Sequence, residues 1–232
     1  MKSVAILQSN YIPWKGYFDL INYVDIFVIY DEVQFTKRDW RNRNKIKNAT
    51  GLQWLTIPCQ TKNNYFQRIK DVKISNNNWE FKHWKSILLN YKTSKYFPEY
   101  EKIFFDLYFK KKETYLSNLN IKFIKEINKI LGIKTKIIDS TDVPKNLMHY
   151  SPTLRLLEIV NHFGGNKYVS GPSAKSYFDE KLASKKNVEI EWFNYDNYKE
   201  YNQLFKNFTH EVSILDLIFN EGSNSNKYML TF

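Results

Sequence analysis

One cysteine stands in 232 residues, with only seven glycines and six prolines. A lone thiol excludes an internal disulfide and a cysteine-rich zinc site, and suits a reducing compartment. Neither a Pro/Gly-rich linker nor a solenoid-period repeat is present, so one domain over residues 1–232 is expected. No segment approaches the ~18 uninterrupted apolar residues of a membrane span. The four apolar residues Val4, Ala5, Ile6 and Leu7 fall short of the roughly 7–15 of a signal-peptide core. A cytoplasmic protein without a membrane span is the expectation. Gly-x-Gly-x-x-Gly does not follow the first apolar run, and Gly-x-x-x-x-Gly-Lys-Ser/Thr occurs nowhere. These absences argue against a dinucleotide dehydrogenase and a P-loop NTPase. His-Glu-x-x-His, Cys-x-x-Cys and closely spaced His pairs are also missing, so no metal ligand is assigned.

What the chain has is aromatic surface and positive charge. Aromatic residues make up 17% of it, which excludes a disordered chain. Thirty-five Lys and Arg against 24 Asp and Glu give a net charge of +11. Val4–Leu7, a turn-rich break, helical spacing of Trp14, Phe18, Ile21 and Val24, and then Ile26–Tyr30 read as strand, turn, helix, strand. Uninterrupted apolar strands joined through a helix indicate a buried parallel sheet. Further strands are expected at Gln53–Ile57, Ile69–Ile74, Thr135–Ile138, Lys167–Ser170 and Val188–Phe193. Helices are expected at Trp79–Tyr91, twice within Glu99–Leu131 up to a cap at Gly132, and at Pro152–Phe163 behind Ser151. The order predicts an α/β fold, a mainly parallel sheet flanked by helices with a helical C-terminal half.

Residues 37–47 hold six basic side chains and one acid, directly after the second strand. Ligands of parallel α/β sheets bind at the carboxyl ends of strands, and Arg grips phosphate with paired hydrogen bonds. An anion site is expected here; the competing reading is a solvated basic loop. The rest of the chain carries 29 basic and 23 acidic residues. No zinc finger, RNP-type motif or helix-turn-helix accompanies that diffuse excess, so nucleic acid is not the expected partner. Among four histidines, His83 is the candidate proton acceptor because basic and aromatic side chains surround it. His149 precedes a helix, His162 suits a helix end, and His210 has no obvious partner. Cys59 reads as a small buried side chain rather than a nucleophile.

Several linked motifs resemble the WbqC-like family of bacterial polysaccharide-cluster proteins. They are Gln8-Ser9-Asn10-Tyr11-Ile12-Pro13-Trp14-Lys15-Gly16-Tyr17-Phe18, Asp31-Glu32-Val33-Gln34-Phe35, and Lys37-Arg38 followed by Trp40 and Asn42-Arg43-Asn44. Trp54-Leu55-Thr56-Ile57-Pro58, Lys82-His83-Trp84, Tyr168-Val169-Ser170-Gly171-Pro172-Ser173 and the run Ser213 to Gly222 continue the pattern. Ser9 departs from it, since the family commonly has Pro there. The resemblance implies a role in making O-antigen, capsule or a related surface glycan. It further implies a transferase placing an acyl or aminoacyl group on the amine of a nucleotide-diphosphate amino sugar.

On that reading Lys37, Arg38 and Arg43 hold the diphosphate, and Asn42 and Asn44 bond the sugar. Tyr11 or Trp40 covers a flat ring, and Gln8, Ser170 and Ser173 complete the site. His83, oriented by Asp31, takes the amine proton. No cofactor is assigned; the acyl donor would be a thioester on an acidic carrier protein drawn by the positive charge. A fainter similarity links Trp14-Lys15-Gly16-Tyr17 to the His-x-Gly-His turn of nucleotidylyltransferases, which implies a Rossmann-like form of the α/β fold and leaves a nucleotidylyltransferase as an alternative. A non-catalytic binder of anionic glycans or nucleotides is the other alternative.

Overall fold

The computed structural model describes residues 1–232. Its centre is a five-stranded sheet of β1 (Ser3–Leu7), β2 (Ile26–Ile29), β5 (Lys136–Ile138), β6 (Lys167–Ser170) and β7 (Glu189–Trp192), ordered β5-β2-β1-β6-β7. Every pairing is parallel, with Val4 opposite Ile26 on one side of β1 and Tyr168 on the other. Alternation along the strands feeds two apolar layers. Ala5, Phe27, Ile29 and Val169 face a cluster of 40 buried residues, whereas Val4, Ile6, Ile26, Val28 and Tyr168 face a smaller one of 15. Helices α1 (Lys15–Tyr23), α2 (Trp79–Tyr91), α3 (Phe97–Phe109), α4 (Leu116–Leu131) and α7 (Ile214–Glu221) supply the larger layer. Helices α5 (Pro152–His162) and α6 (Glu180–Lys185) cover the opposite face. The architecture is the expected α/β, Rossmann-like one. The chain builds outward from β1 through β2 to β5, then returns to the other side of β1. The carboxyl ends of β1 and β6 therefore part where the winding reverses, which is where such sheets bind ligands.

Three differences from the sequence reading have physical causes. Gln53–Ile57 is extended but lies outside the main sheet: β4 (Gly51–Thr56) pairs antiparallel with β3 (Arg43–Asn48) as a separate hairpin. β3 is almost wholly polar, so no apolar run announced it, and it is held from both sides, by Tyr91 Oη on Lys47 N and by Asn44 on the loop before α1. Ile69–Ile74 forms a 3₁₀ turn and isolated bridges rather than a strand, because Ile69 and Val72 both turn into the core. The C-terminal half contains α5, α6 and α7 but also β5, β6 and β7, followed by a long irregular stretch, Phe193–Val212. No helix is long and apolar enough to cross a membrane.

Candidate functional site

The loop leaving β1 is fixed before it reaches the surface. Asp31, at the carboxyl end of β2 and fully buried, accepts Ser9 N at 2.8 Å and Ser9 Oγ at 2.7 Å, and also takes the Ser117 hydroxyl. Burial raises its pKa against these hydrogen bonds. Asn44 donates to both Tyr11 O and Ile12 O, and Tyr11 N donates to Trp40 O. Ile12, a β-branched residue just before Pro13, has φ 37°, a conformation that costs on the order of 1–3 kcal/mol and survives because these anchors surround it. The irregular stretch then closes over this loop: Ser213 N donates to Lys45 O and Ile214 N to Pro13 O. Residues far apart in sequence thus meet beside Trp14.

Two cavities result. The larger, about 680 Å³, opens between the ends of β1 and β6 and is lined by Gln8, Ser170 and Ser173 together with Trp14, Tyr30 and Arg155. Arg155 reaches it from α5 and is the one cation in its lining. Its guanidinium donates to Tyr30 Oη at 3.2 Å and to Tyr150 O at 2.9 Å, while Nε is buried without a partner. Burial raises the Tyr30 pKa, opposed by Arg155, so the phenol stays neutral. Gln8 is oriented by Arg41, which donates to its Oε1 at 3.0 Å. Trp14 leans on Tyr195 and Tyr198, with centroids 5.4 and 5.6 Å away. A smaller cavity of about 430 Å³ shares Trp14 and Trp40 with the first and adds Asn10, Asn44, His210 and Glu211.

The sequence-assigned residues divide sharply. Gln8, Trp40, Ser170 and Ser173 border the large cavity together. His83 and Asp31 are not hydrogen-bonded to each other, which corrects the expected pair. The imidazole Nε2 donates to Thr56 O (3.2 Å) and its Nδ1 accepts from Tyr11 Oη (2.9 Å), within an aromatic nest of Trp79 and Tyr108. Burial pushes its pKa down to about 4. Tyr11 is likewise fully buried, its hydroxyl bonded to His83 and Tyr108, so its ring offers no face to a ligand. Asn42 spends its amide on Ile57 O, and Asn44 borders the small cavity with its amide committed to Tyr11 and Ile12.

The basic run comes together only in part, and away from the large cavity. Lys47 is buried against Gln203 and two carbonyls, Lys45 pairs with Glu211 at 2.8 Å, and Arg41 pairs with Asp39 at 3.0 Å. Arg38, Arg43 and Lys45 line a hollow of about 240 Å³, where the Arg43 guanidinium sits 4.0 Å and the Lys45 ammonium 5.2 Å from the Trp54 ring centroid. Lys37 is exposed. Part of the run's charge thus gathers over Trp54, outside the large cavity, whereas Arg155 carried no local signal beyond its place in the first turn of a predicted helix.

A profile of the WbqC-like protein family matches residues 8–228. The chain belongs to the WbqC-like protein family. Within it, the chain is similar to a Mycobacterium tuberculosis protein described as "Uncharacterized protein Rv1507c", 44% identical over 229 residues that cover 99% of this chain and 98% of the relative. No solved structure matches the chain significantly. The family match spans both cavities, since every residue named around them falls inside it.

Proposed function

We propose that this WbqC-like protein is a transferase of bacterial surface-glycan assembly, attaching an acyl or aminoacyl group to the amine of a nucleotide-diphosphate amino sugar. The observation that carries the reading is the cavity at the winding reversal of the parallel sheet, with Arg155 as its cation and Gln8, Ser170 and Ser173 at the strand ends. Arg155 has guanidinium donors beyond the two it spends on Tyr30 and Tyr150, enough to engage a diphosphate. Trp14, Trp40 and Tyr195 offer aromatic surface for the flat part of the ligand. The net charge of +11 suits an acidic carrier protein bearing a thioester as acyl donor, since complementary charge accelerates encounter. In the turn similar to that of nucleotidylyltransferases, Trp14 and Tyr17 stand at the histidine positions, Tyr17 Oη donates to Gln8 O, and the Lys15 ammonium is spent on Lys199 O and Tyr228 O.

The test is a thermal-shift screen of nucleotide-diphosphate sugars against nucleoside triphosphates with Mg²⁺, followed by product mass in the presence of acyl thioesters. Stabilisation by nucleotide sugars and a product heavier by one acyl group is expected. Stabilisation by triphosphates with pyrophosphate release would replace the proposal with a nucleotidylyltransferase. Stabilisation by neither class would remove the nucleotide reading altogether.

A further inference from the structure

The smaller cavity differs in kind from its neighbour. It holds no free cation, because Lys45 nearby is paired with the Glu211 carboxylate through Oε2. It contains polar groups that nothing in the protein satisfies. Asn10 Oδ1 is buried without a hydrogen-bond partner, and so is His210 Nδ1. Both atoms are sealed from solvent, but Asn10 Nδ2 and His210 Nε2 also lack a partner within the protein and are not sealed, so these two groups remain free for a guest in the cavity.

The chemistry of the lining narrows the answer. Trp14 and Trp40 offer ring faces, Asn10 and His210 offer neutral hydrogen-bonding groups, and Glu211 offers a negative charge whose Oε1 is uncommitted. The imidazole lies between Phe208 and Tyr198, with centroids 4.6 and 6.0 Å away. Burial lowers its pKa, with Lys15 acting in the same direction and Glu200 opposing, so His210 is neutral near pH 7. It therefore does not repel a cation. An aromatic face for a sugar ring, neutral donors and acceptors for hydroxyls, and one carboxylate for an ammonium describe a single kind of guest.

Building on the nucleotide-sugar reading, we infer that this cavity is the amino-sugar subsite. The pyranose lies against Trp14 and Trp40, its hydroxyls bond Asn10 and His210, and its ammonium faces Glu211. The nucleotide occupies the larger cavity across the same two tryptophans. Selection of an amine over a hydroxyl at this position belongs to Glu211.

The deciding experiment is calorimetric titration of the full chain with UDP, UDP-glucose, UDP-glucosamine and a dTDP-linked 4-amino sugar, repeated on Glu211→Gln and His210→Ala. Glu211 is exposed, so the Gln variant keeps its fold. An amine-bearing nucleotide sugar is expected to bind up to about fivefold tighter than its hydroxyl counterpart, the scale of one solvent-accessible ion pair. Glu211→Gln should abolish that preference while leaving UDP affinity unchanged, and His210→Ala should weaken every sugar conjugate but not UDP. A preference that survives Glu211→Gln, or no difference between amine and hydroxyl, overturns the subsite. If no nucleotide binds at all, the nucleotide reading falls by itself. The subsite is then judged by ligand-observed NMR with free glucosamine and glucose. Contact by glucosamine that is lost in Glu211→Gln keeps it, and no contact overturns it.

Discussion

His83 illustrates how burial decides what an imidazole can do. Its ring is enclosed by Trp79, Tyr11 and Tyr108, and its pKa is down at about 4 against an ordinary value near 6.5. The unfolded chain therefore takes up a proton between pH 6.5 and 4 that the folded chain refuses, so the stability present above pH 6.5 is lost as pH falls through that window. The loss approaches ~3 kcal/mol from this one group. Asp31 and Asp216 have raised pKa values from burial and act with the opposite sign, their cost fading as pH falls. Chemical denaturation of wild type and His83→Gln across pH 4–7 isolates the histidine: the gap between the two should narrow toward pH 4. A gap independent of pH would contradict a neutral, enclosed His83.

Arg155 is the opposite case, a half-buried cation with donors to spare. Arg155→Ala is expected to weaken nucleotide-diphosphate binding by roughly ten- to a hundredfold, the scale of one or two charge-assisted hydrogen bonds. The melting temperature should change little. The sequence pointed instead to Lys37, Arg38 and Arg43. Charge density along the chain is visible in a sequence, but which cavity the charges border is not: Arg43 and Lys45 sit together over Trp54 on one face of β3, outside the cavity that Arg155 enters. Gln8, Ser170 and Ser173 entered through the family resemblance and Trp40 through the basic loop; Gln8 and Ser170 lie at the carboxyl ends of β1 and β6, which a parallel sheet turns toward its ligand.

At the scale of elements, β1 and β2 could be read from continuous apolar runs, β7 alternates polar and apolar residues, and Gly132 was marked by its position after α4, where it adopts φ 75° as the helix cap. β3 was hidden because only Ile46 and the stem of Lys47 give it an apolar side. Helix α1 carries a finer constraint. A Cβ on Gly16 would lie 2.3 Å from the Trp14 ring, so no larger residue fits while the indole lines both cavities. Gly16→Ala should displace Trp14 and reduce nucleotide-sugar binding. Thermal stability should hold near wild type, since alanine favours a helix over glycine by up to ~1 kcal/mol. Binding equal to wild type in this variant would mean that Trp14 yields without functional cost.

Across the whole molecule, the final residues are fastened to the first helix by one carboxylate. Asp19 is fully buried and accepts Leu230 N, Thr231 N and Thr231 Oγ at 2.9–3.0 Å, with Tyr198 Oη at 2.6 Å. Asp19→Ala leaves those donors unsatisfied and should destabilise the protein by on the order of 3 kcal/mol, measured by denaturant unfolding. Tyr198 also flanks Trp14 and His210, so the same variant should loosen the small cavity and raise amide exchange over residues 195–212. Unchanged exchange there would show that the clamp and the cavity wall are mechanically independent.

Trp14 and Trp40 stand between the two chambers, and they are two of only six indoles in the chain. Filling either chamber changes the polarity around both chromophores at once, so the protein carries its own optical gauge of occupancy. Emission from an unlabelled sample should follow saturation directly. Replacing Trp40 by Phe would show how much of that signal comes from each of the two indoles.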